Sequence, residues 1–370
     1  MGCATRPTRT ESDAMTLPAR PHPPLLSVRD LKTYFLSDEG VVKAVDGTSF
    51  DVYAGRTLGI VGESGCGKSV TARSILRIVE DPGRIVGGQI LLHAIPATDR
   101  EVDLVTLPPS GREIRSIRTG LIAYVFQEPM ASFSPVHTIG NQIVEAIQFH
   151  RKVSKREARD RGIELLRRVG IPRAEERMDE YAFQLSGGLR QRAMIAMALS
   201  CDPKLLIADE PTTALDVTTQ AQILDLLWDL QEQNGMAIIL ITHNLGVVAE
   251  MADDVVVMYL GRVVEEGPVD DIFHAPKHPY TQLLLQSIPS VHSAPRAKLP
   301  TISGSIPHPY NRPTGCPFHP RCPSFMPGIC DAHEPELLSV TERQRASCFL
   351  YQPLATNGAA GVAATDSRVG

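Results

Sequence analysis

The feature that most constrains this chain is Gly62-Glu63-Ser64-Gly65-Cys66-Gly67-Lys68-Ser69, which follows the apolar run Leu58–Val61 and precedes a helical pattern over Val70–Val79. Consecutive backbone N–H groups can converge on phosphates only where side chains stay clear, and the three glycines meet that need. In such a cradle Lys68 reaches the β- and γ-phosphates, the Ser69 hydroxyl ligates Mg²⁺, and Val70 continues the helix whose start faces the anion. Strand, glycine-rich turn and helix in this order belong to an α/β domain.

The remaining pattern supplies such a domain. Apolar, strand-like segments recur at Leu26–Val28, Val41–Val45, Ser49–Val52 and Gln89–Leu92, and a mainly helical stretch runs from about Ile139 to Leu199. Within it Ser154-Lys155-Arg156-Glu157 reads as a capping box. Ile163, Leu166 and Val169 follow at helical spacing, and Gly170 and Pro172 supply the stop. Leu205–Ala208 and Ala237–Thr242 are continuous apolar runs, as expected of strands buried on both faces. Between them Ile223, Leu224, Leu227 and Leu230 mark one face of a helix that ends at Asn234-Gly235. Strands alternating with helices predict a mostly parallel sheet.

Two polar strand ends add chemistry. Leu205–Ala208 runs into Asp209 and Glu210, and the second buried run ends in Thr242-His243. Alone, such acids mark a strand meeting solvent, and a single histidine at a strand end is usually structural. Beside a phosphate loop 140 residues upstream, Asp209 is placed to hold Mg²⁺ through water and Glu210 to orient and deprotonate an attacking water. His243 suits a contact to the γ-phosphate.

With 43% hydrophobic and 21% charged residues, the chain can bury a substantial core, which excludes wholesale disorder. A net charge of -5 advertises no nucleic-acid partner. No run approaches the ~18 apolar residues of a membrane span. Residues 1–24 read as a disordered leader without a secretory core, or as upstream of a true start at Met15. Arg6 stands where myristoylation after Met1-Gly2 needs Ser or Thr. Seven cysteines suit neither a disulfide framework nor a secreted scaffold, so a reducing cytoplasm is expected.

Leu185-Ser186-Gly187-Gly188-Leu189-Arg190-Gln191-Arg192 resembles the signature motif of ABC-transporter ATPases. The order of motifs also matches that family: phosphate loop, Gln127 within Val125-Phe126-Gln127-Glu128-Pro129, signature, acidic strand, Ala214-Leu215-Asp216, then His243. The resemblance covers about Leu26 to Gly267. It implies a P-loop NTPase of the ABC type: a mostly parallel sheet core with an antiparallel β subdomain and an α-helical signature subdomain over about 128–195. ATP and Mg²⁺ are the implied cofactors. Gln127 would contact metal and water and relay nucleotide state to a membrane partner. Ser186, Gly187 and Gly188 would meet the γ-phosphate of ATP held by an opposite subunit, and Asp216 would lie at the seam. Phe35, or Tyr34 beside it, matches the aromatic that stacks on adenine. Leu189 departs from the commoner Gln or Met, which leaves cross-site affinity open. One loop and one signature per chain imply that two ATPase domains must meet to hydrolyse ATP efficiently.

Beyond Pro268, His278-Pro279-Tyr280-Thr281 and Gly315-Cys316-Pro317-Phe318-His319-Pro320-Arg321-Cys322 resemble the C-terminal extension of ATPase subunits from dipeptide/oligopeptide and nickel importers. This implies an extension over 268–352, following an ATPase domain over 25–267, with 353–370 as a disordered tail. It also implies ATP hydrolysis coupled to peptide uptake at the cytoplasmic membrane face. The partners would be a sister ATPase, two transmembrane permease subunits and an extracytoplasmic solute-binding protein. Nickel or another small solute is the alternative cargo, and a soluble ATPase of translation or repair is the alternative class. Cys316, Cys322, Cys330 and Cys348 fall within 33 residues, where even scatter would put fewer than one. A tail poor in apolar residues needs a staple, and spacings of five, seven and seventeen residues suit a [4Fe–4S] cluster better than zinc. Buried thiols are the other reading, with His319 and His333 as possible substitute ligands.

Overall fold

A computed structural model describes residues 23–93, 101–213, 215–287 and 302–352. Residues 1–22, 94–100, 214, 288–301 and 353–370 lie outside them, and with them Cys3, all but the last two residues of the expected leader, and the expected tail. The strands come in chain order. The first five are β1 (Leu26–Ser37), β2 (Gly40–Val52), β3 (Thr57–Val61), β4 (Gly83–Leu92) and β5 (Val102–Asp103). Then come β6 (Ile122–Val125), β7 (Leu205–Asp209) and β8 (Ala237–Ile241). The last four are β9 (Asp254–Tyr259), β10 (Arg262–Pro268), β11 (Leu338–Ser339) and β12 (Arg345–Ala346).

They form two sheets, one four-stranded in the order β2-β1-β4-β5 and one eight-stranded in the order β11-β12-β10-β9-β3-β8-β7-β6. The small sheet is antiparallel throughout. In the large one β6, β7, β8, β3 and β9 are parallel neighbours, and β10, β12 and β11 add antiparallel at one edge. Every residue of β3, β7 and β8 is buried, which explains their unbroken apolar runs. β1 and β2 extend well past the expected apolar segments. Exposed charged residues such as Lys43 on their outer face hid their full length from a search for apolar runs.

The helical stretch forms as expected. Helices Ile139–His150, Lys155–Arg168 and Gly187–Ala198 share one core through Ile143, Ile147, Leu166 and Met194. At the capping box, Ser154 Oγ accepts the Glu157 N–H (3.2 Å) and the Glu157 carboxylate accepts the Ser154 N–H (2.8 Å). The helix after the phosphate loop spans Lys68–Ile75 and stops short of Val79, because Arg77 takes a left-handed conformation (φ 57°) that a helix cannot continue through.

The C-terminal extension shares the core of the domain before it. β12 pairs with β10 at Glu265–Ala346 and Glu266–Arg345. Phe318, fully buried, packs against Tyr259 (5.2 Å between ring centroids), Tyr280 (5.3 Å) and His278 (5.9 Å). Buried Glu265 accepts the N–H groups of Lys277 (2.6 Å) and His278 (2.9 Å). Burial drives the His278 pKa down to about 3, so the ring is neutral and its Nδ1 accepts the Tyr280 N–H, capping helix Pro279–Gln286. Among the described residues no helix is long and apolar enough to cross a membrane.

Candidate nucleotide and metal site

The phosphate loop links β3 to its helix at the carboxyl ends of the parallel strands, where α/β sheets bind ligands. Two of its glycines are irreplaceable on geometry. A Cβ on Gly62 (φ 147°) would lie 2.2 Å from the Met258 carbonyl oxygen, and one on Gly67 (φ 100°) 2.2 Å from that of Ala44. Lys68 is buried and its Nζ donates to the carbonyls of Gly62 (2.8 Å) and Glu63 (3.0 Å). Cys66 is a buried free thiol, as expected. Glu63 behaves differently from a cradle residue. Its N–H donates to the Tyr280 hydroxyl and its carboxylate is held by Arg321, both from the extension.

Across the strand ends, Ser69 Oγ donates to Asp209 Oδ1 at 3.0 Å, and the Tyr124 hydroxyl donates to Oδ2 at 2.7 Å. Burial pushes the Asp209 pKa up, and the Tyr124 and Ser69 hydrogen bonds only partly offset it. A serine hydroxyl and a carboxylate side by side fit a hard divalent cation that keeps most of its water, as Mg²⁺ does.

Glu210 follows with its backbone in the left-handed region (φ 48°), a position of strain for a non-glycine residue. Its Oε1 faces His243 Nδ1 at 3.2 Å, and its Oε2 accepts from Gln127 Nε2 (3.0 Å) and the Thr213 hydroxyl (2.8 Å). Burial alone would raise its pKa. The bonds from Thr213 and His243, with the charges of His243 and Lys68, outweigh burial and hold it below the ordinary glutamate value. The carboxylate is therefore ionised at neutral pH and only half-buried. The structure thus gathers Lys68, Ser69, Gln127, Asp209, Glu210 and His243 into one cluster.

Ser186, Gly187, Gly188 and Asp216 form a second group. Ser186 caps helix Gly187–Ala198, its Oγ facing the Leu189 N–H at 3.4 Å. A Cβ on Gly188 would lie 2.8 Å from Thr219 Cγ2, and Thr219 is bonded to Asp216 through its N–H (2.9 Å) and hydroxyl (2.7 Å). Asp216 caps helix Val217–Asn234. Ser186, Gly187 and Asp216 are exposed, as is Val217 (84%), so this face is open to another molecule. Tyr34 spends its hydroxyl on Asp46 (2.5 Å), whereas Phe35 lies half-buried beside Val79 and Gly83.

Sequence reasoning missed Tyr124, Thr213, Tyr280 and Arg321. Tyr124 left a signal, as the one polar-tipped residue of β6. Arg321 stood inside a quoted motif without a role.

The expected four-cysteine centre is not formed in the structure. Among the described residues no group of three or more His, Cys, Asp or Glu side chains is arranged to hold a metal ion. Cys316, Cys330 and Cys348 are buried free thiols and Cys322 is half-buried. Burial, with smaller contributions from the neighbouring thiols, pushes Cys316 up to about 12 and Cys348 to about 11, so both are protonated. The staple that the extension needs is instead its aromatic docking and strand pairing on the ATPase core. His319 Nδ1 is bonded to the Cys316 carbonyl, 3.0 Å away.

A glycine loop, a buried lysine and a serine–aspartate pair beside an ionised glutamate are the parts of a P-loop nucleotide hydrolase. Residues 45–213 match the family model described as ABC transporter, and residues 264–330 match the oligopeptide/dipeptide transporter C-terminal region. The chain belongs to the ABC transporter family, in the branch whose ATP-binding proteins carry that C-terminal region.

It is 49% identical to a probable peptide ABC transporter ATP-binding protein of Sinorhizobium fredii, over 88% of this chain and 94% of that one. It is also 49% identical to the oligopeptide transport ATP-binding protein AppD of Bacillus subtilis (89% and 97% covered). To the dipeptide transport ATP-binding protein DppD of Haemophilus influenzae it is 47% identical (86% and 94%). Among solved structures, the dimeric bacterial ABC transporter cassette MJ0796 aligns with a TM-score of 0.58 at 26% identity, covering 66% of this chain and 98% of that one. A second MJ0796 dimer is a post-hydrolysis state bound to ADP and Pi (TM-score 0.57, 26% identity, 66% and 98% covered).

Proposed function

We propose that this chain is the ATP-hydrolysing subunit that energises an importer of dipeptides or oligopeptides. The observation that carries the chemistry is Glu210, ionised and held by Gln127, Thr213 and His243 beside the Ser69–Asp209 pair. Lys68 and the loop amides bind the β- and γ-phosphates, and Phe35 stacks on adenine, since Tyr34 is tied to Asp46. Mg²⁺ held near Ser69, Gln127 and Asp209 would neutralise phosphate charge. Glu210 takes the proton of the attacking water, and His243 steadies both that carboxylate and the γ-phosphate.

Ser186, Gly187, Gly188 and Asp216 lie on the open face described above, which favours their completing the site of an opposite ATPase subunit. We assign that mate to a sister ATPase. Two permease subunits and an extracytoplasmic binding protein complete the assembly, with this chain peripheral on the cytoplasmic face. The ATPase domain spans 25–267 and the extension 268–352. Peptide cargo, rather than nickel or another solute, is favoured by the names of the relatives and by the matched C-terminal region. The test is affinity purification of the tagged chain from membranes, with identification of everything retained, followed by ATP-dependent uptake of labelled dipeptide into vesicles holding the assembly. Co-purified permeases and peptide uptake are expected. Ribosomes in place of permeases would refute the transport reading.

One observation favours a second, metal-loaded form of the extension. The Cys316 N–H donates to the Cys330 carbonyl at 2.7 Å, which brings two of the four cysteines together. Binding [4Fe–4S] or zinc there would require the four thiols to lose protons and draw closer together. Brown, iron-containing protein from anaerobic purification supports iron–sulfur, colourless zinc protein supports zinc, and metal-free protein eliminates both.

A further inference from the structure

The extension reaches into the phosphate loop at its second residue. Arg321, only 4% exposed at its side chain, grips both oxygens of Glu63: Nη1 donates to Oε2 at 2.7 Å and Nη2 to Oε1 at 3.0 Å. Two further donors anchor it, Nε on the Ser303 carbonyl (3.1 Å) and Nη1 also on the Tyr259 hydroxyl (3.3 Å). The Tyr280 hydroxyl accepts the Glu63 N–H at 2.8 Å. The Glu63 carbonyl, on the same residue, accepts from Lys68 Nζ at 3.0 Å. Glu63 is therefore clasped between the extension and the lysine that faces the phosphates. A second contact lies at the β1–β2 hairpin, where Arg312 pairs with Asp46 at 2.6 Å, the carboxylate that fixes Tyr34.

We propose that the extension is a working part of the nucleotide site, with Arg321 a positioning residue that neutralises the Glu63 carboxylate and fixes the first turn of the phosphate loop. This rests on the ATPase reading above. A carboxylate on that turn sits close to where the β- and γ-phosphates bind, and like charges at short range in a partly buried site repel strongly. Bidentate pairing with a buried guanidinium cancels that charge and holds the turn in one geometry. Removing the guanidinium leaves Glu63 bare, which weakens ATP binding through charge; removing the carboxylate as well relieves it. A purely structural contact would show no such relief.

The test is the Kd for MgATP of the full-length chain, by titration calorimetry, with circular dichroism as the check on folding. Arg321→Met should raise Kd about tenfold. The pair Glu63→Gln with Arg321→Met should recover most of that loss, and Glu63→Gln alone should tighten binding by about threefold, because the guanidinium charge beside the loop is then no longer cancelled. Arg321→Lys keeps the charge without the two-pronged grip and should fall between wild type and Arg321→Met. An unchanged Kd in Arg321→Met overturns the proposal, as does a double variant no better than the single. Should Arg321→Met not fold, Glu63→Gln decides alone, and weaker binding by it counts against the proposal. Failure of the wild-type chain to bind MgATP at all would instead sink the ATPase reading.

Discussion

Replacing Glu210 by Gln separates chemistry from binding with little change of shape. The amide keeps one oxygen, which can still accept from Thr213 (2.8 Å) or Gln127 (3.0 Å), and the left-handed backbone is no harder for Gln than for Glu. What is lost is the basic oxygen and the negative charge facing His243. General-base catalysis is worth roughly 10²- to 10⁴-fold, or about 3–5 kcal/mol of barrier. ATP hydrolysis by the assembled transporter should fall by that factor, while the Kd for MgATP of the full chain stays within about threefold, since less than 1 kcal/mol of binding is removed.

The pH profile gives an independent check. Because the Glu210 pKa is depressed below its ordinary value of 4.5, the base stays ionised through neutral and mildly acidic pH, and its acid limb lies below that value. A steady-state phosphate-release assay gives kcat, and calorimetry gives Kd. Hydrolysis by Glu210→Gln within tenfold of wild type would falsify the assignment of the base.

Lys68→Ala should weaken MgATP binding about a hundredfold, because a charge-assisted contact to two phosphates is lost, and calorimetry on the full chain measures it. Phe318→Ala removes a fully buried ring from the Tyr259–Tyr280–His278 cluster. It should destabilise the chain by about 3–5 kcal/mol in denaturant unfolding, and a cost below about 1 kcal/mol would mean the extension is not docked as described. Burial raises the Asp46 pKa, but the Tyr34 hydrogen bond and the Arg312 and Arg262 charges bring it below 3.8 overall. With the folded pKa depressed, the stabilisation is complete above 3.8 and disappears as pH falls through the lower folded value. The stability gap between wild type and Asp46→Asn should accordingly be full at neutral pH and shrink only in strong acid; a gap that widens in acid contradicts this sign.

The parts of this molecule legible in the sequence are those whose physics is local. Gly62 and Gly67 announce a loop where no Cβ fits, and Ser154 with Glu157 announces a cap. The unbroken apolar runs of β7 and β8 announce strands buried on both faces. Contacts between distant segments were not legible from their own spacing. Gln127 and His243 reach Glu210 from 83 and 33 residues away, and only the family order of motifs suggested it. The Arg321–Glu63 pair spans 258 residues and had no such guide. The docking of the extension was hidden for a related reason. Clustering in sequence suggested that the extension carried its own staple, whereas the fold supplies one from Tyr259 of the ATPase domain, which no pattern within the extension reveals.

The account depends on shared sites: each chain contributes a phosphate loop to one nucleotide and a signature to another. The most direct test is ATP turnover per chain across a wide dilution series, followed by light scattering to count subunits. Turnover should collapse as assemblies separate into single chains that still bind MgATP, and return when the mate is added in excess. Turnover that stays constant while scattering reports only single chains would contradict the account.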